Sequence, residues 1–195
     1  MDRDPAKVER RRALRAARRS LAASRDTAAD GRALTAGALR LVDRLGLGPG
    51  SVVLSYASVP GEPPTREMNA ALAARGIRVL LPITEPDLDL DWYDAADPHE
   101  APLGRDAPAL ADLVLAPGLS VDTYRTRMGQ GGGCYDRALP RRRSGVRVVV
   151  LLHPGEVVEP DDAPLPRQPH DAVVDAVLTA EGLRWLTDEA LPESG

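Results

Sequence analysis

The segment from Arg127 to Arg137 combines closely spaced glycines with charged side chains, a pattern that suits phosphate binding. Four of the five residues from 129 to 133 are glycine, and glycine allows successive backbone N–H groups to turn toward a single anion. Arg127 and Arg137 supply positive charge for a polyphosphate, and Asp136 is a suitable ligand for the accompanying Mg²⁺. The segment therefore predicts a phosphate-binding loop between a strand and the N-terminus of a helix.

A plainer interpretation of the same segment stays open. Glycine-rich stretches often form only a tight or flexible turn, and this one matches neither the Walker A motif nor the dinucleotide-binding fingerprint. Arg127 and Asp136 would then form an ion pair across the loop. A mere turn does not require the side chains of Arg127, Tyr135, Asp136 and Arg137, and these favour a binding role.

The composition is that of an ordinary globular protein. Of the 195 residues 43% are hydrophobic and 28% are charged, and this length suits one well-buried domain. The absence of Phe predicts a core of Leu, Val and Ala. No apolar run is long enough to cross a bilayer, and no signal-peptide pattern follows the basic N-terminus. Cys134 is the only cysteine, which excludes an internal disulfide and a cysteine-based zinc site. We expect a soluble cytoplasmic protein without a membrane partner.

Positive charge is concentrated at the N-terminus. Residues 1–25 carry nine Lys or Arg against three acids, although the whole chain has a net charge of −4. The basic residues follow a helical pattern and lack interleaved aromatics, so nucleic acid is the least favoured partner. A solvated helix face and a face that reaches an anionic ligand both remain open. The three scattered histidines form no pattern typical of a hydrolase triad.

Predicted strands alternate with predicted helices, which is typical of one α/β domain with a largely parallel sheet. In such sheets ligands bind beyond the carboxyl ends of the strands, where the loops after Tyr56, Pro117 and Leu152 should converge. We predict loops over 94–109 and 154–169 and flexible ends over 1–6 and 188–195. The predicted strands are 51–56, 78–82, 88–93, 113–116, 147–152 and 172–178; the predicted helices are 6–24, 27–45, 66–75 with Thr65 as its cap, a short one after the glycine loop, and 180–190 with Thr179 as its cap.

Several short motifs follow one another in an order that resembles the 5-formyltetrahydrofolate cyclo-ligase family, also called methenyltetrahydrofolate synthetase. The resemblance extends over about residues 7–186 and is most specific between Pro117 and Leu139. The motifs that carry it are Leu14-Arg15 on the basic helix, Tyr56-Ala57-Ser58 and Gly61-Glu62 after the first strand, Ala116-Pro117-Gly118-Leu119-Ser120-Val121-Asp122 before the glycine loop, and Pro169-His170-Asp171 with Val174-Asp175 near the end.

This resemblance implies a fold, an activity and a set of ligands. The fold would be one three-layer α/β/α domain over 1–195, Rossmann-like (NagB/RpiA/CoA-transferase-like), with a largely parallel sheet. The activity would be the conversion of 5-formyltetrahydrofolate to 5,10-methenyltetrahydrofolate, with ATP as co-substrate, Mg²⁺ as the metal, and ADP and phosphate as products. We expect these small molecules as ligands, no nucleic acid, and a monomer or weak dimer.

The resemblance also assigns roles to individual residues. Arg127 and Tyr135 would be catalytic, Asp136 would hold Mg²⁺, and Asp175 is a weaker second candidate for the metal. Tyr56, Glu62 and Tyr135 would contact the folate. The residues assigned to ATP are Arg11, Arg15, Arg127, Gly129, Gln130, Gly131, Gly132, Gly133, Cys134, Tyr135 and Asp136.

The chain departs from the family pattern at several places, and three of them bear most directly on activity. Arg11 stands at the position of a lysine, Cys134 replaces the first of two tyrosines, and the region 94–109 is short. These departures keep a second hypothesis open, in which a paralogue binds nucleotide or folate without this turnover or acts on another substrate. Glu62 as a solvated carboxylate and Arg15 as a surface arginine also remain open.

Overall fold

The structure, a computed structural model, describes residues 4–169 and 171–186. His170 and most of the two ends predicted to be flexible therefore lie outside the described residues. The helices are α1 Pro5–Ala23, α2 Thr27–Arg44, α3 Arg66–Ala74 and α4 Cys134–Ala138, and the strands are β1 Val52–Leu54, β2 Arg78–Thr84, β3 Leu90–Asp94, β4 Leu113–Pro117, β5 Ser120–Asp122, β6 Arg127–Met128, β7 Arg147–Leu151, β8 Val157–Val158, β9 Ala176–Thr179 and β10 Gly182–Trp185.

Within these residues, seven strands form one sheet in the order β10-β9-β7-β4-β1-β2-β3. Neighbouring strands from β9 to β2 are parallel, whereas β3 and β10 pair antiparallel at the two edges. Strands β6, β5 and β8 form a second, small sheet. The largely parallel sheet confirms the prediction from the sequence. Strand β3, in which apolar and acidic residues alternate, lies at one edge of this sheet.

The two faces of the large sheet bury separate apolar clusters. Helices α2 and α3 cover one face with Leu34, Leu41 and Leu72. On the other face Trp92 and Leu139 pack with residues of the sheet. This arrangement of one α/β domain with both sheet faces covered is what parallel strands require. No helix in the described ranges is long and apolar enough to cross a membrane.

Helix α1 is attached to the domain differently from α2 and α3. Its buried side chains are Lys7, Arg11 and Arg18, whereas Leu14 and Leu21 are only partly covered. The residue before the helix, Asp4, caps it through a hydrogen bond from the amide of residue 6. Since buried charge must be paired or hydrogen-bonded, the contacts of these three cations, together with the packing of Leu14 on a small apolar cluster, fix the position of α1.

Two predicted segments are wrong in the structure. The predicted helix over 180–190 is instead strand β10 over Gly182–Trp185, antiparallel to β9, and residues 187–190 lie outside the described part. Thr179 Oγ1 accepts from the Glu181 amide, and Gly182 has a φ of 138°, so a tight turn forms where a helix cap was expected. The predicted surface loop 154–169 contains β8 and a buried Glu156.

Thr65 occupies the predicted N-cap position of α3, but its side chain does not cap the helix. Thr65 makes no side-chain hydrogen bond to the first turn of the helix. Its hydroxyl donates to the Tyr56 carbonyl at 2.7 Å and accepts from the Ser58 amide at 3.0 Å. Thr65 therefore fixes the loop after β1, which is the loop that carries Glu62.

The buried carboxylate of Asp89 makes the acid stability of the fold testable. Arg141 donates to both its oxygens at 2.8 and 2.7 Å and lowers the pKa of Asp89 from its ordinary 3.8 to about 2, although burial opposes the shift. A lowered pKa adds stability above pH 3.8 that disappears as the pH falls toward 2. We expect Arg141→Met to lower the free energy of unfolding at pH 7 by about 1–2 kcal/mol.

Urea denaturation as a function of pH checks this expectation. The difference between Arg141→Met and the parent protein should shrink from about pH 5 toward about pH 2. Arg75→Met, which removes an exposed pair with Asp43, is the matched control and should change stability by less than about 0.5 kcal/mol. A constant difference across the pH range would contradict the assignment to Asp89.

Candidate active site

One large pocket brings together most of the residues that the sequence singled out. It has a volume of about 1040 Å³ and opens beyond the carboxyl ends of β1 and β4, where a parallel sheet is expected to bind ligands. Twelve of the predicted site residues line it: Arg11, Tyr56, Glu62, Arg127, Gly129, Gln130, Gly131, Gly132, Gly133, Cys134, Tyr135 and Asp136.

The glycine loop runs from the end of β6 to the start of α4. Gly131 and Gly133 have φ angles of 104° and 69°, which side chains rarely tolerate. A Cβ atom at Gly129 would lie 2.7 Å from Nη1 of Arg127. Both the φ angles and the packed Arg127 side chain therefore favour glycine in this loop. At the glycine positions only backbone atoms can face the pocket.

Arg127 is held from three sides. Its Nη2 donates to Asp136 Oδ1 at 2.9 Å, its Nη1 donates to the Pro117 carbonyl at 3.3 Å, and its guanidinium lies 5.5 Å from the ring centroid of Tyr135. The side chain is 4% exposed, and within the described residues its Nε has no hydrogen-bond partner. The ion pair that the sequence left open is therefore present, and it fixes a cation in the pocket wall.

Two buried phenols face the same pocket. Tyr56 and Tyr135 are 4% and 8% exposed, and within the described residues neither hydroxyl has a hydrogen-bond partner. Burial raises the pKa of each phenol well above the ordinary value for tyrosine, and the nearby Glu62 carboxylate raises each pKa further. Both hydroxyls are therefore protonated at neutral pH. They can donate to a polar ligand, but they cannot act as bases.

Glu62 lies in a turn after β1 and lines the same pocket. Its backbone amide donates to the Val59 carbonyl at 3.0 Å, and its Oε2 accepts from the Val59 amide at 3.2 Å. Thr65 anchors the same loop to Tyr56. The carboxylate is thus placed at the pocket rather than on the open surface. Pro82 and Leu90 add apolar surface to the pocket lining.

Helix α1 contributes two cations to the pocket, and the sequence had identified one of them. Lys7 and Arg11 both line the pocket, where Lys7 pairs with Asp171 and Arg11 donates to the Gly129 carbonyl at 3.1 Å. The predicted pair was Arg11 and Arg15, which has the same spacing one turn later. Arg15 bonds to Gln130 and does not line the pocket.

Asp175 is not brought to the pocket. Its carboxylate accepts from Arg125 Nη2 at 2.6 Å and from the Val148 amide at 2.8 Å, which fixes it beside the first half of β7. Within the described residues no group of three or more His, Cys, Asp or Glu could hold a metal ion. Mg²⁺ needs only one or two carboxylates when phosphates supply the other ligands. Asp136 by itself meets that requirement, because its hydrogen bond to Arg127 uses only Oδ1 and leaves the second carboxylate oxygen available.

Comparison with known proteins gives the same family at three levels. The sequence profile of the 5-formyltetrahydrofolate cyclo-ligase family matches residues 3–180. A 5-formyltetrahydrofolate cyclo-ligase from Mycolicibacterium smegmatis is 29% identical over an alignment of 147 residues that covers 67% of this chain and 74% of the relative.

Two solved structures of 5,10-methenyltetrahydrofolate synthetases share the fold. The protein from Mycoplasma pneumoniae superposes with a TM-score of 0.68 at 17% identity, over 87% of this chain and 98% of its own. The protein from Aquifex aeolicus gives a TM-score of 0.68 at 21% identity, over 96% of each chain. Because the family profile extends over most of the sequence, the chain belongs to the 5-formyltetrahydrofolate cyclo-ligase family, a family of ligases.

Proposed function

We propose that this protein converts 5-formyltetrahydrofolate to 5,10-methenyltetrahydrofolate in a reaction that uses ATP and Mg²⁺ and releases ADP and phosphate. One observation carries the proposal. One pocket is lined both by the glycine loop with its cations and by Tyr56 and Glu62 from the segment after β1. Two substrates that must react with each other can therefore bind side by side.

In the proposed reaction the phosphate end of the pocket activates a poor leaving group. The oxygen of the N5-formyl group attacks the γ-phosphorus of ATP, and ADP leaves. N10 of the folate then attacks the formyl carbon, and phosphate departs with the proton that N10 gives up. The protein's main task is to align the reactants and to neutralise charge on the phosphoryl group.

The pocket cations suit that task. Arg127 is preoriented by Asp136 and Pro117, so it needs little reorganisation to bind the phosphoryl oxygens. Lys7 and Arg11 reach the same pocket from α1. At the folate end, the protonated hydroxyls of Tyr56 and Tyr135 are placed to donate to a polar group of the substrate.

Asp136 is the residue that would hold Mg²⁺ in this proposal. The metal would supply charge neutralisation between the phosphates, which Mg²⁺ usually binds through one or two carboxylates. Asp136 keeps Arg127 oriented with Oδ1, and its other oxygen is the available ligand.

The test is absorbance of the methenyl product when purified protein meets 5-formyltetrahydrofolate, MgCl₂ and ATP. The parent protein should give a rise that requires all three. Asp136→Asn should lower the rate by about 100-fold or more, because the amide can still accept from Arg127 but cannot neutralise Mg²⁺. The exposed Asp97 gives the control Asp97→Asn, which should retain the parent rate.

The Mg²⁺ dependence separates a metal role from a structural one. Raising MgCl₂ should partly restore Asp136→Asn, since a weakened metal site can be filled at higher concentration. An unchanged rate in this variant would exclude the role of Asp136. No absorbance rise in the parent protein, with ATP still bound by calorimetry, would support the paralogue hypothesis instead.

A further inference from the structure

A buried network of three residues lies outside the pocket lining and belongs to none of the roles assigned above. Arg18 on α1 donates to both carboxylate oxygens of Glu156 at 2.6 Å each. Glu156 Oε2 also accepts from the backbone amide of His153 at 2.8 Å. Arg18, Glu156 and His153 are 6%, 8% and 4% exposed. We call these residues the Arg18–Glu156–His153 network.

One end of the network contacts the side of the pocket that carries Arg127. Arg18 Nη2 donates to the Gly118 carbonyl at 2.6 Å. Gly118 follows Pro117, whose carbonyl accepts from Arg127, and a Cβ at Gly118 would lie 3.5 Å from Cγ of Arg127. Arg18 therefore fixes the turn against which Arg127 packs.

The other end contacts the wall that carries Glu62. His153 Nε2 lies 3.2 Å from the carbonyl oxygen of Gly61. A carbonyl only accepts, so Nε2 must carry the hydrogen in this contact. His153 Nδ1 lies 3.8 Å from Oδ2 of Asp30, which Arg25 engages through two hydrogen bonds. The imidazole thus connects Gly61, the residue before Glu62, to Asp30 on α2.

From these contacts we propose that the Arg18–Glu156–His153 network is a positioning device that sets the distance between the two walls of the pocket. Glu156 lies at its centre, since it bonds to Arg18 by its side chain and to His153 by the same carboxylate. None of the three residues lines the pocket. They act through Gly118 and Gly61, and hence through Arg127 and Glu62.

This inference rests on the proposed function, because a fixed distance between walls matters most when two bound substrates must react. Misalignment by about 1 Å can cost about 100-fold in rate, whereas each substrate can still bind to its own wall. The expected signature is a loss in kcat at saturation with dissociation constants for the separate substrates nearly unchanged.

The experiment compares Glu156→Gln with a matched control on the same segment. Glu159→Gln removes an exposed pair with Arg184 and should keep the parent kcat. Glu156→Gln should lower kcat by about 10-fold or more, while the dissociation constants of ATP without folate and of 5-formyltetrahydrofolate without ATP stay within about 3-fold. A loss of both affinities in proportion to kcat, or an unchanged kcat, would overturn the proposal.

A second pair of variants covers the case in which Glu156→Gln does not fold. His153→Leu removes the donor to Gly61, whereas His153→Gln retains an N–H near the position of Nε2. His153→Leu should lower kcat and His153→Gln should restore at least part of it. Equal rates in the two variants would show that the Gly61 contact has no positioning role.

Hydrogen exchange distinguishes failure of this inference from failure of the proposed function. In His153→Leu the five backbone amides between residues 57 and 62, where Pro60 has none, should exchange faster, while amides of β4 and β7 keep their protection. This readout needs no turnover, so it tests the network even if the parent protein forms no methenyl product. Unchanged exchange in 57–62 would reject the network whatever the activity.

Discussion

Replacement of Arg127 by methionine is expected to lower kcat/KM for ATP by about 1,000-fold or more, the range found when a charge-stabilising arginine is removed from phosphoryl transfer. Methionine fills much of the same volume, but it removes the cation next to the glycine loop. It also releases Asp136 and leaves the Tyr135 ring without the guanidinium beside it.

The size of the effect follows from how completely Arg127 is held. Its side chain is 4% exposed and its hydrogen bonds tie together β4, β6 and α4. A preoriented cation stabilises developing charge without reorganising at the moment of reaction. A mobile surface arginine with the same charge would have to be ordered first, which costs side-chain entropy.

Steady-state kinetics with Arg127→Lys and Arg137→Met provide the comparison. Lysine keeps the charge but cannot contact Asp136 and Pro117 together, so its rate should lie between those of the parent and Arg127→Met. The exposed Arg137 donates to the Gly132 carbonyl, and its replacement should have the smaller effect. Equal losses for Arg127→Met and Arg137→Met would mean that only net charge near the loop matters.

The parts of the site that are local in sequence could be predicted. Arg127, the glycines and Asp136 fall within ten residues, so their proximity needs only a turn. The loop after Tyr56 was expected beside them because parallel strands end at one edge of the sheet, and the resemblance to the family singled out Tyr56 and Glu62. The argument from parallel strands needs only the positions of the strands along the chain, which hydrophobic patterns reveal well.

Residues whose role depends on distant partners could not be predicted. Glu156 lies in a proline-rich and acidic segment typical of a surface loop, and its burial depends on Arg18, 138 positions away. The place of Lys7 in the pocket was not predicted, because the buried face of α1 consists of cations, which a sequence pattern assigns to the solvent side. Hydrophobic periodicity indicates which way an ordinary amphipathic helix faces, but it carries no such information for a helix docked through its charges.

Replacement of Gly131 by valine is expected to weaken ATP binding by about 30-fold or more, equivalent to about 2 kcal/mol. The φ of 104° at this position is strained for a β-branched residue, so the loop must leave its present conformation. A backbone loop that binds phosphate through N–H groups loses several of them when one peptide turns.

A matched control isolates the loop from the strain itself. Gly145 also has a positive φ, of 84°, and a Cβ atom added to it would meet no other atom within 4 Å. It does not line the pocket. Gly145→Val should therefore lower the free energy of unfolding by about 1–3 kcal/mol without changing ATP affinity.

Calorimetry of both variants with ATP and, separately, with 5-formyltetrahydrofolate gives the decisive pattern. Gly131→Val should lose ATP affinity and retain folate affinity, because Tyr56 and Glu62 line the pocket from the segment after β1 and not from the glycine loop. Retained ATP affinity would contradict the phosphate-binding role of the loop. Equal loss of both ligands would instead mean that the loop supports the whole pocket, and the division into a phosphate wall and a folate wall would fail.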